Sequence, residues 1–221
     1  MARHKPEREQ AINDLIWIGF YFLLRPSEYL WTTVNQHPFT LKDIVFRIHD
    51  RRYPASTIPL ELLDSVTFLT YTFTEQKNGI RNEEIGLARS RDQQACPVRC
   101  TANRVRHLCT HLAPPDTPIF AFFDATRRHS AATDSMSTHY LRKAADGTPF
   151  PGNYTVGALR NSGAQALLEA GVPKAMIQLI GRWRSDEIFR YLTANSEALM
   201  HPYSESMISP PTTPRRNDRG T

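Results

Sequence analysis

Between Leu159 and Leu192 the chain reads LRNSGAQALLEAGVPKAMIQLIGRWRSDEIFRYL, which sets Arg160, a basic and aromatic turn at Arg182-Trp183, and Tyr191 in one stretch. Arg182 follows Arg160 by 22 residues, and Tyr191 follows Arg182 by 9. Arg25 in LLRPSEYL and Lys77 in TEQKNGIR stand upstream. These residue types suit phosphoryl transfer on a nucleic-acid strand without metal or nucleotide. Such a reaction needs a nucleophile that conserves the phosphodiester energy, cations for a phosphorane-like transition state, and an acid for the leaving 5′-oxygen. A tyrosine phenol can be the nucleophile, but with a reference pKa of about 10 it requires nearby cations or a base. Arginine grips non-bridging oxygens bidentately, which the point charge of lysine does less well. An indole N–H or a guanidinium can each add a donor.

The elements that must position these groups follow from apolar spacing and breakers. Ile12, Leu15, Ile16, Ile18, Phe20, Leu23 and Leu24 predict a helix over Glu7–Leu24, stopped by Arg25-Pro26. Residues 39–50 and 67–77, rich in β-branched and aromatic side chains, predict strands, and 80–88 is a weaker third. Asn78-Gly79 between the last two is a hairpin turn signal, so Lys77 falls beside a hairpin tip. A helical pattern runs from Cys96 to Leu112, and Ile119–Phe123 is a short apolar segment of open type. Ser137 or Thr138 can cap a helix that ends at Asp146-Gly147. Helices are expected at about 155–170, 173–181 and 185–194, and Tyr191 would stand on the last of these. The fold class is therefore α+β, mainly helical, with a small antiparallel β-sheet or hairpin packed on a helical bundle.

The 221 residues, 40% of them hydrophobic, fit one domain of ordinary size. The longest apolar run, LIWIGFYFLL, has ten residues where a membrane span needs about 20, so no membrane partner is expected. The charged opening MARHKPEREQ has no apolar leader segment, and three clustered cysteines form no disulfide framework, so an intracellular location is expected. A net charge of +5 suits a polyanionic partner. Residues 208–221 are Pro-rich, polar and basic, with too little apolar surface to offset ordering, and are expected to be a disordered tail.

Arg25, the hairpin lysine, Arg160, the GRW turn and Tyr191, in that order, resemble the catalytic domain of tyrosine recombinases, in particular those carried by eukaryotic mobile elements. The resemblance covers roughly residues 10–205 and implies a catalytic domain over 1–207, with the helical core-binding domain that usually precedes it absent. It implies that Tyr191 attacks a DNA phosphate to form a 3′-phosphotyrosyl intermediate. Arg25 and Arg160 would stabilise transition-state charge, Glu28 would orient the Arg25 guanidinium, and Lys77 would protonate the leaving oxygen, with Arg81 as its runner-up. Arg182 or Trp183 would fill the next position, usually His or Trp. Double-stranded DNA, self-association on it as dimer or tetramer, a nuclear location and no cofactor or metal follow from the same resemblance.

The chain departs from that pattern at Gly157, where the family's second block, His-x-x-Arg, has a histidine. The alternative is thus a catalytically inactive DNA-binding domain derived from a mobile-element recombinase. Cys96, Cys100, His107 and His111 have a spacing that invites zinc, but on one continuous helix the outer two stand about 22 Å apart, too far to share an ion.

Overall fold

The computed structural model describes residues 7–33, 38–74, 82–92, 94–123, 128–149 and 151–183. They fall in two compact units, Met1–Gly163 and Ala164–Thr221. Both helix and antiparallel strand are present, which makes the chain α+β. None of the described helices is long and apolar enough to cross a membrane.

The first unit opens with α1 (Glu7–Tyr21) and the short α2 (Pro26–Tyr29). Helix α1 stops three residues before the expected Leu24. Leu24 N–H donates to Gly19 O at 3.0 Å and Leu23 N–H to Phe20 O at 3.4 Å, while Leu23 takes a left-handed conformation with φ 50°. This is a Schellman turn with leucine where glycine is usual. The conformation costs roughly 1–2 kcal/mol for a residue with a side chain, and complete burial of Phe22, Leu23 and Leu24 offsets it. The apolar pattern that predicts helix as far as Leu24 is thus satisfied by packing in a turn.

A four-stranded antiparallel sheet follows, in the order β2-β1-β3-β4. Its strands are β1 (Ile44–Ile48), β2 (Arg51–Pro54), β3 (Phe68–Phe73) and β4 (Glu83–Ala88). The expected strand over 39–50 is shorter, because Leu41–Asp43 forms a 3-10 turn closed by Asp43 Oδ2, which accepts from Thr40 N–H at 2.8 Å and Thr40 Oγ1 at 2.7 Å. Strand β2 was not expected from its RRYP sequence. It is an edge strand, the place where a terminal proline is tolerated. Strand β3 occupies the middle of the sheet, and Tyr71 and Phe73 pack edge-to-face with Phe22 and Phe39 at ring centroid distances of 4.7 Å.

Helix α3 (Pro97–Thr110) lies against α1 and is one continuous helix, with Cys96 as its N-cap and His111 as its C-cap. Its polar residues hold strands. Thr101 Oγ1 and the Tyr71 hydroxyl are 3.2 Å apart, Arg104 Nε donates to Ile119 O at 3.1 Å and its Nη2 to Ala121 O, and His107 Nε2 accepts from Phe123 N–H at 2.9 Å. The segment left open around Ile119 proves to be strand β5 (Ala121–Phe123), paired with β6 (His129–Ala131). Helix α4 (Asp134–Asp146) begins earlier than expected, because Thr133 rather than Ser137 or Thr138 is its cap, accepting from Met136 N–H at 3.1 Å. A 3-10 turn, Val156–Ala158, leads into α5 (Leu159–Glu169), which crosses the boundary between the units.

Within the second unit, α6 (Lys174–Gly181) starts after Pro173. It ends in a second Schellman turn, with Arg182 N–H on Leu179 O at 3.1 Å, Trp183 N–H on Gln178 O at 3.0 Å and Arg182 left-handed at φ 58°. Both helix ends thus place a side-chain-bearing residue where glycine is favoured. Strands β3 and β4 pair antiparallel as the expected hairpin, while its tip with Lys77, the helix expected at 185–194 with Tyr191, and the tail from 208 lie outside the described residues.

Candidate functional site

The residues expected to carry chemistry begin at the end of α1. Arg25 stands after the Schellman turn, with φ −75° and ψ 144°, as the N-cap of α2 and not at a helix C-terminus as expected. Pro26 forces this arrangement, because the residue before a proline is driven out of the helical region. Glu28 reaches back to it twice. Its Oε2 accepts from Arg25 N–H at 2.7 Å, and its Oε1 meets Arg25 Nη1 at 3.0 Å. The carboxylate therefore fixes backbone and guanidinium together. The Arg25 side chain keeps 28% of its surface exposed, so an outside anion can approach it.

Arg160 is brought to the same turn. It occupies the first turn of α5, and its Nη1 donates to Leu23 O at 2.6 Å. Leu23 is two residues before Arg25, so Arg160 is anchored on the short stretch of backbone that carries Arg25. Close packing permits this. A β-carbon on Gly163 would collide with Phe20 O and stand 2.5 Å from Leu23 Cδ2, so α5 meets the last turn of α1 nearly backbone to backbone. Both guanidiniums are half-buried, and an arginine can grip an oxyanion through its planar N–H groups.

Gly157 sits exposed in the 3-10 turn before α5. A β-carbon there would meet only Thr155 Oγ1, at 3.7 Å, so the position accepts a β-carbon without rearrangement. In the second unit, Arg182 is buried and its Nη1 is 3.4 Å from Ile180 O. The Trp183 ring covers Gly181, filling the space a β-carbon would need. The glycine of GRW is therefore the last helical residue, and the arginine makes the turn. Lys77 and Tyr191 lie outside the described residues.

A second polar cluster, which sequence reasoning missed, lies between α1 and α3. Asp14 and Arg104 are 1% and 2% exposed. Asp14 Oδ1 accepts from Gln10 Nε2 at 2.9 Å and Asn103 Nδ2 at 3.4 Å, while Oδ2 has no hydrogen-bond partner among the described residues. Burial raises the Asp14 pKa to about 6 against the lowering effects of Gln10 and Arg104. Burial also lowers that of Arg104 to about 10 and that of His107 to about 4, the latter with help from Arg104 and His111. These groups border a cavity of about 390 Å³ that Glu7, Gln10, Asn103 and Arg106 also line. The signal in the sequence was a carboxylate inside the apolar stripe Ala11, Ile12, Leu15, Ile18.

On α3, His111 Nδ1 lies 2.8 Å from His107 O. Among the described residues no three His, Cys, Asp or Glu side chains are grouped to hold a metal ion. No protein-family model matches the sequence, and no curated protein matches it.

Proposed function

We propose that this chain is the catalytic domain of a tyrosine recombinase of the type carried by eukaryotic mobile elements, and that it cuts and rejoins double-stranded DNA. The observation that supports this reading is the anchoring of Arg160 on Leu23 O beside the Glu28-braced Arg25, two arginines 135 positions apart in sequence held on one turn. In this reading the Tyr191 phenolate oxygen attacks the scissile phosphorus while Arg25 and Arg160 take up charge on the non-bridging oxygens. The bond to the 5′-oxygen breaks, and Lys77 supplies the proton to that oxygen. A 5′-hydroxyl of a partner strand then attacks the phosphotyrosine, displacing Tyr191 and restoring the phosphodiester. Arg182 or Trp183 adds a donor to the phosphate. The α+β architecture with a four-stranded antiparallel sheet accommodates the proposed catalytic fold, and self-association on DNA in the nucleus belongs to the same proposal.

Gly157 favours a second reading, a DNA-binding domain that has kept the fold and lost the chemistry. A glycine cannot contact phosphate through a side chain or relay a proton, and loss of one such donor typically costs about 10²–10³ in rate. Incubation with a library of nicked suicide duplexes, followed by denaturing electrophoresis, separates the two. Recombinase activity requires a covalent protein–DNA adduct that Tyr191→Phe abolishes. Salt-sensitive duplex binding without that adduct leaves the second reading alone standing.

A further inference from the structure

We infer that Gly163 is a positioning residue for Arg160 and thereby sets the spacing between the two arginines; this rests on the phosphate-binding reading of Arg25 and Arg160. The first atom a β-carbon at 163 would strike is the carbonyl oxygen of Phe20. That oxygen is backbone in the last turn of α1 and accepts the Leu23 N–H that closes the turn. It cannot swing aside as a side chain would. Only glycine lets the start of α5 approach so closely.

Arg160 is three residues earlier in the same helix, so it shares the face of Gly163. Its bond to Leu23 O is short, 2.6 Å, and depends directly on that approach. Arg25 is held differently, by Glu28 on α2. A displacement of α5 therefore moves Arg160 and leaves Arg25 in place. A shift of about 1 Å takes an N–H···O contact of this length past the range of a hydrogen bond. Bidentate recognition of one phosphate by two guanidiniums depends on their spacing, so the missing β-carbon acts on affinity through Arg160 without touching the anion.

The test follows the arginine side chains of the full chain by ¹⁵N NMR in the wild type, in Gly163→Ala, and in Ser162→Ala as an exposed control on the same helix. Inorganic phosphate is the titrant. The wild type and Ser162→Ala are expected to show a slowly exchanging Arg160 Nη–H and phosphate-dependent shifts at Arg25 and Arg160. Gly163→Ala is expected to lose that protection, keep the Arg25 signal, and weaken phosphate at least tenfold. Unchanged protection and affinity in Gly163→Ala would overturn the inference. So would fast exchange of Arg160 in the wild type, which needs no variant to fold. If phosphate shifts neither arginine in the wild type while Gly163→Ala still releases Arg160, the phosphate reading falls and the hold of Gly163 on Arg160 stands.

Discussion

The phenol ring of Tyr29 lies over Gly19, in the space a β-carbon on that glycine would occupy. This contact folds α2 back along the last turns of α1 and fixes the stretch between them, which contains Leu23 and Arg25. The ring is fully buried, and its hydroxyl has no hydrogen-bond partner among the described residues. Desolvation, followed by the Glu28 charge, pushes the phenol pKa upward. Gly19→Ala is expected to destabilise the fold by about 1–3 kcal/mol through overpacking. Tyr29→Phe, which removes a hydroxyl that makes no bond among the described residues, should leave stability within about 1 kcal/mol of wild type. Urea midpoints measure both, and a larger loss for Tyr29→Phe would reveal a partner for the hydroxyl.

Asp14 should make stability depend on pH in an unusual direction. Its pKa rises on folding from 3.8 to about 6, so between those values the folded state binds more protons than the unfolded state. Its contribution is fully present below about pH 3.8 and is lost as pH rises through about 6. A difference of about two pH units corresponds to about 3 kcal/mol. Asp14→Asn should therefore match the wild type near pH 4 and exceed it by up to about 3 kcal/mol near pH 7. A wild type that is the more stable of the two at pH 7 would show that the Arg104 counter-charge outweighs desolvation.

His107 works in the opposite sense over nearly the same interval. Its pKa falls from 6.5 to about 4, so the stability it contributes is present above about 6.5 and is lost as pH falls through about 4. Its ring is only half-buried, and solvent screens part of the effect. In Asp14→Asn this slope should stand uncovered, with stability rising from pH 4 to pH 6.5. Chemical denaturation at half-unit intervals would expose it, and a flat profile in the variant would argue against a shifted His107.

Restoring a histidine at 157 tests the proposed chemistry at its weakest residue. The open space around the Gly157 α-carbon means that Gly157→His should fold with stability within about 1 kcal/mol of the parent. On a nicked substrate that yields a Tyr191-dependent adduct, the rate should rise about 10²–10³-fold. A variant that folds normally and gains nothing would show that the defect, or the reading, lies elsewhere.

Glu28→Ala removes both bonds to Arg25 at once. Loss of the cap alone should cost about 1 kcal/mol. On a substrate that yields the proposed Tyr191-dependent adduct, its formation should fall further than that stability change explains, because the guanidinium loses its brace. Adduct rates under conditions where both proteins are fully folded make the comparison, and equal rates would remove Glu28 from the site.

The parts legible in the sequence are those where local chemistry and tertiary packing agree. Pro173 starts α6, and the β-branched and aromatic run FLTYTF reads directly as strand β3. The misread parts are those where packing overrides the local signal. Leu23 and Leu24 extend an apolar helical pattern, yet they fill the core from a turn that costs backbone strain. Strands β5 and β6 have three residues each, too few to carry a period. Arg25, Glu28 and Arg160 were named by the resemblance to tyrosine recombinases. What joins them was not, because a carbonyl has no sequence signature and the glycine that admits α5 is one of ten.

Thr101, Arg104 and His107 recur every three residues along α3 and hold two pieces of chain: Thr101 meets the Tyr71 hydroxyl of β3, while Arg104 takes the Ile119 and Ala121 carbonyls and His107 the Phe123 amide of the segment that contains β5. Helix and strands are consequently locked in register, like a key with three teeth. Rotating α3 by a single residue would misalign all three teeth together. Its amides and those of β5 are then expected to exchange with solvent as one cooperative block, opening only when the whole α1–α3 core opens.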